Sequence, residues 1–113
     1  MHMKTLFSKI IDRELNANII YENDSVIVIK DIHPKAPIHW LIIPKIPIPT
    51  FQDLQKEHFG YLLAMTEVIQ KLAKEHSLEK GYRLVVNNGP DAGQSVFHLH
   101  IHLLAQRAHN HDF

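Results

Sequence analysis

The chain has 113 residues, no cysteine, ten histidines, and 12 basic residues balanced by 12 acidic ones. That length fits one domain over 1–113, the missing cysteines exclude disulfides and thiolate metal sites, and the zero formal charge removes electrostatic capture of nucleic acid as a default. Lys4, Lys9, Asp12, Arg13 and Glu14 interrupt the first apolar stretch, so no signal peptide or membrane span is expected, and a soluble cytoplasmic protein is.

Residues 5–13 (TLFSKIIDR) place Leu6, Phe7, Ile10 and Ile11 at helical spacing and predict a short helix. Residues 18–22 and 25–30 are rich in β-branched side chains, and Asn23-Asp24 between them predicts a hairpin. Pro34 and Pro37 interrupt the chain before a third strand over 38–45, and Pro44, Pro47 and Pro49 make the next stretch an extended connector. Thr50 and Asp53 suit a short capped turn ahead of a long helix over about 56–76.

That helix carries two apolar stripes. Phe59, Leu62, Leu63, Thr66, Ile69, Leu72 and Ala73 form one; Tyr61, Met65, Val68 and Leu72 form the other. One stripe suffices to pack a helix on its sheet, so the second is either a broad core face or a homodimer interface. A fourth strand is predicted at 82–88, a loop at 89–95 (GPDAGQS), and a fifth strand at 96–105. Short turns between strands, with one long helix, indicate an antiparallel α+β sheet.

Within the last strand, His98, His100 and His102 alternate with Leu99, Ile101 and Leu103. A strand has period two, so the three imidazoles are expected on one face, in a solvent-reached groove. A zinc site is one use of such a set, but the first and third histidines of an extended strand lie about 13 Å apart. A carboxylate or His39 would have to complete it. Nucleophilic catalysis is the other use: a neutral imidazole attacks phosphorus while a neighbouring imidazolium neutralises charge and supplies a proton. The adjoining loop has two glycines and a proline, so its backbone can aim N–H groups at a phosphate, with Gln94 and Ser95 beside it.

GQSVFHLHIHLL resembles the histidine-triad (HIT) motif, and LFSKIIDREL, IVIKDIHPKAPIHWLIIPK and GYRLVVNNG resemble the Hint branch of that family, the histidine-triad nucleotide-binding proteins. The resemblance runs in order from about Thr5 to Arg107. It implies a five-stranded antiparallel sheet with helices, joined to a second sheet across a homodimer with the long helix near the two-fold. It also implies a metal-independent, cofactor-free hydrolase of purine nucleoside 5′-phosphoramidates.

On matching motif positions, His100 would be the nucleophile that forms a nucleotidyl-histidine. His102 would contact the phosphate and help proton transfer. His98, supported by His39, would orient the nucleophile. Ser95 would bond towards the leaving group; Gly93, Gln94 and Asn87 would hold the phosphate. Asp31 would accept the ribose hydroxyls, as a carboxylate's oxygens can. Leu6, Phe7, Ile10, Ile20, Ile29 and Ile32 would line the base pocket, with Ile29 standing where Hint proteins often carry an aromatic. The expected partners are a purine nucleoside monophosphate or its phosphoramidate and a second copy of the chain, with no nucleic acid and no membrane. A Fhit-like dinucleoside polyphosphate hydrolase and a nucleotide-binding scaffold with vestigial catalysis are the alternatives. His33, His58 and His76 receive no role, and the tail HNHDF (109–113) is read as a disordered end or a weak metal binder.

Overall fold

The computed structural model describes residues 4–106, so the tail HNHDF lies outside the described residues. The first helix, α1, runs Leu6–Ile11. Thr5 starts it by accepting the Ser8 backbone N–H on its side chain at 3.1 Å, which satisfies a donor that the first turn leaves free. Strands β1 (Ile19–Glu22) and β2 (Val26–Lys30) form the hairpin. Its turn closes because Asn23 Oδ1 accepts the backbone N–H groups of Ser25 and Val26 at 2.9 and 2.8 Å.

Strand β3 spans Ile38–Pro44, the long helix α2 spans Phe59–Glu75, and the short β4 and β5 span Arg83–Val85 and Ile101–Ala105. All pairings are antiparallel, in the order β1-β2-β3-β5-β4. Among the described residues, no helix is long and apolar enough to cross a membrane.

The run Val26–Ile29 is buried at every position because both faces of the sheet are covered. Val26, Val28, Trp40, Ile42 and Leu103 face α2. Ile27, Ile29, Leu41 and Ile43 face α1, against Phe7 and Ile10. Each fully buried Val, Ile or Leu contributes ~1.5–3 kcal/mol relative to exposure, so the central strands anchor the fold and their second face is free to carry the site.

Three expectations change. The last strand begins at Ile101 rather than 96, so His98 and His100 precede it. There the Leu99 N–H donates to the Ile48 carbonyl at 2.7 Å, outside the ladder that pairs Ile101 with Ile42. The fourth strand covers only Arg83–Val85. On α2, Met65, Val68, Ile69, Leu72 and Ala73 are buried, while Phe59 and Leu63 are 51% and 61% exposed. The second stripe therefore packs on the sheet, and the first is divided between core and solvent.

Candidate active site

A cavity of about 620 Å³ opens on the α1 face of the sheet. Leu6, Phe7 and Ile10 of α1, Ile29 of β2, Asp31 and Ile32 just after it, His39, Asn87, Ser95, His100 and His102 all line it. Strand register explains this convergence: Ile29 pairs with Leu41, Leu41 with His102, and His102 with Val85, and directly paired residues share a face. Leu41 and Val85 belong to the lining for the same reason, together with Asn16, Ala17, Lys30, His33, Lys35, Val96 and Leu104. Sequence reading missed these. Alternation from His39, Asn87 and His102 would have found Leu41, Val85 and Leu104; nothing local marks Asn16 or Lys35.

Ile20 is a correction. A bulge between Ile19 and Tyr21 makes the residue between them extra to the ladder, and Ile20 packs with the α2-side core, away from the cavity. Gly93 and Gln94 do not line the cavity either. Gly89 and Gly93 turn the loop at positive φ. The Gln94 side chain holds that turn: Oε1 accepts the Gly89 N–H at 2.8 Å, and Nε2 donates to the carbonyls of Pro49 and Val96 at 2.8 and 3.1 Å.

The histidines separate into two hydrogen-bonded sets. His98 is 2% exposed and does not line the cavity. Its Nε2 lies 2.8 Å from the Pro44 carbonyl, an acceptor only, so Nε2 carries the proton. Likewise, His100 Nδ1 lies 2.7 Å from the His98 carbonyl and must donate to it. The neutral His100 ring then has its lone pair on Nε2, which has no partner among the described residues. Burial pushes the His100 pKa down, against the opposing pull of the His98 carbonyl and Asp31. It is therefore neutral at pH 7.

His39 is buried and bonds to His102, not to His98; that expectation is corrected. Its Nδ1 accepts the Lys35 backbone N–H at 3.0 Å, so the proton of the neutral ring sits on Nε2. Nε2 donates to His102 Nδ1 at 2.9 Å and lies 3.4 Å from Asp31 Oδ2. His102 must then carry its own proton on Nε2. Burial, followed by the neighbouring His100 and His39, pushes the His102 pKa down to about 4, while Asp31 opposes the shift. In the free protein the ring beside the nucleophile is thus a neutral N–H donor, not the expected imidazolium. Asp31 Oδ1 meanwhile accepts the His33 backbone N–H at 2.8 Å.

One donor atom each from Asp31, His39 and His102 lies within 4.8 Å of the others, close enough to hold a metal. The protons argue against that use. A metal on His39 Nε2 would place the ring proton on Nδ1, where the Lys35 N–H already points.

An antiparallel sheet covered by α2 on one face and by the short α1 on the other, and a histidine cluster with a free neutral Nε2 in a mostly apolar cavity, define a histidine-based site for a small ligand. The chain matches the HIT domain over residues 12–109 and belongs to the HIT family. It is 48% identical over 103 residues to a HIT-like protein of Chlamydia pneumoniae, covering 91% of this chain and 94% of that one. It is 46% identical over 108 residues to the purine nucleoside phosphoramidase of Escherichia coli, covering 95% and 91%. The crystal structure of a HIT family hydrolase from Legionella pneumophila Philadelphia 1 superposes with a TM-score of 0.92 at 38% identity, covering 96% and 98%.

Proposed function

We propose that this HIT family hydrolase cleaves the P–N bond of purine nucleoside 5′-phosphoramidates without a metal. The observation that carries the reading is the 2.7 Å bond from His100 Nδ1 to the His98 carbonyl, which leaves a neutral Nε2 lone pair as nucleophile. In the first step Nε2 bonds to phosphorus, and the P–N bond breaks with its electron pair going to the departing nitrogen. The His102 Nε2–H, fixed through His39 and the Lys35 N–H, donates to a phosphate oxygen. An incoming nucleotide's negative charge raises the His102 pKa from its free value, so that in the complex the ring takes a second proton and gives one to the departing nitrogen, returning to the neutral form. Water then attacks phosphorus, gives a proton back to His102, displaces His100 Nε2 and releases the nucleoside monophosphate. Ser95 bonds to the leaving group and Asn87 to the phosphate. Asp31 takes the ribose hydroxyls, and the apolar end formed by Leu6, Phe7, Ile10, Ile29 and Ile32 takes the base. The 46% identity to a purine nucleoside phosphoramidase supports the same substrate class.

The dinucleoside polyphosphate reading shares the histidine chemistry and differs in the leaving group. Adenosine 5′-phosphoramidate is expected to turn over faster than diadenosine triphosphate at equal concentration. A clear preference for the triphosphate would overturn the assignment.

The same reading includes a cytoplasmic homodimer. Phe59 and Leu63 of α2, 51% and 61% exposed, and the outer edge of β4 support a second copy there. Light scattering should give twice the chain mass, and a single chain mass would remove the dimer.

A further inference from the structure

Helix α1 reaches the histidines from behind the cavity as well as lining it. Phe7 stands edge-on to the rings of both His98 and His100, with centroids 6.3 and 4.9 Å apart. One residue further on, Ser8 Oγ lies 3.4 Å from His98 Nδ1. Ser8 does not line the cavity and holds no part in the chemistry above. Its proton can nevertheless be placed. Thr5 Oγ1 accepts the Ser8 N–H at 3.1 Å and lies 3.2 Å from Ser8 Oγ, to which its own hydroxyl donates. The Ser8 hydroxyl is then free to donate. His98 Nδ1 can only accept, because Nε2 carries the ring proton to Pro44.

We propose that Ser8 is a positioning residue for the reaction assigned above. By donating to His98 Nδ1, Ser8 fixes the tautomer and the ring of His98, and through the His98 carbonyl it fixes the ring of His100. The chain of bonds is Thr5 to Ser8, Ser8 to His98, and His98 to Pro44, with the His98 carbonyl holding His100 Nδ1 at 2.7 Å. It ties the helix that forms the base end of the cavity to the nucleophile. Without the hydroxyl, a buried imidazole nitrogen has no partner. The ring can then turn or gain a proton, and either response shifts the carbonyl that aims His100.

The proposal rests on the phosphoramidase reading for its rate but not for its tautomer, so the two can fail separately. In the free protein, 15N NMR of the imidazoles should show His98 protonated on Nε2, with Nδ1 shifted by a hydrogen-bond donor. Ser8→Ala should move the His98 Nδ1 resonance, and Ser8→Thr should restore it. With adenosine 5′-phosphoramidate, Ser8→Ala should lower kcat about tenfold or more, the scale of a small misplacement of a reacting group. KM should stay within about twofold, and Ser8→Thr should recover most of kcat. Failure of the wild-type protein to hydrolyse the phosphoramidate would reject the substrate reading and leave the NMR result as the test of Ser8. Two results would overturn the role of Ser8. One is an unmoved His98 resonance in Ser8→Ala. The other is a rise in KM at constant kcat, which would mean that the residue only shapes α1.

Discussion

His100→Ala should lose turnover of a nucleoside phosphoramidate by about six orders of magnitude, the scale of the loss when a covalent nucleophile is removed and only binding and electrostatics remain. The loss should fall on kcat. On the proposed reading the base and ribose are held by Leu6, Phe7 and Ile10 of α1, by Ile29, and by Asp31 and Ile32 after β2, and of these Phe7 meets the His100 ring. Equilibrium binding of AMP should therefore stay within about fivefold of wild type, since about 1 kcal/mol covers what losing the ring contacts with Phe7 and His102 passes on to binding. Calorimetry on the variant and a single-turnover assay check the two halves. Residual turnover within tenfold of wild type would place the nucleophile elsewhere, and so would an adenylyl adduct on the variant by intact mass.

His102→Ala should cost kcat about 10²- to 10³-fold, the usual contribution of a positioned acid or hydrogen-bond donor. Its Nε2 proton is held in place from a distance: the Lys35 N–H sets His39, and His39 sets His102. His39→Ala should consequently lose a substantial part of the same factor, and the double variant should lose little more than His102→Ala alone. Additive losses would show that the two rings act separately.

The pH profile follows from the same groups. The His100 pKa is depressed by burial. The reactive, neutral form therefore dominates above the usual imidazole value of about 6.5. As pH falls below that value, His100 gains a proton and kcat/KM declines. The acid limb should therefore lie below about pH 6.5. An acid limb at or above neutral pH would contradict a depressed nucleophile.

Much of this site was legible in the sequence, and the part that was not has physical causes. Period two brought His100 and His102 to one cavity, and helical spacing brought Leu6, Phe7 and Ile10 to the same cavity. Ile32, at 81% exposure, sits at its open edge. His98 also lies on the α1 side, against Phe7 and Ser8, but it is buried beneath that helix and does not line the cavity. Ile20 was expected there from the resemblance alone, and one extra residue in β1 turns its side chain to the α2 side of the sheet. The partner of His39 lies 63 residues away. Its choice of His102 over His98 depends on which residues of β3 and β5 come side by side. Nothing in the sequence marks Ser8, and only the approach of α1 to His98 shows its contact. On α2, two stripes were visible, but the assignment of each to core or solvent came from the sheet beneath them.

Hydrolysis of adenosine 5′-phosphoramidate by the purified protein in excess EDTA is the most direct test of histidine catalysis at this site. Steady turnover to AMP is the predicted result, with an adenylyl adduct on the wild-type chain in the quenched reaction. Silence in EDTA with recovery on adding zinc would contradict it, because the protons placed on His39 and His102 would then have given way to a metal held with Asp31.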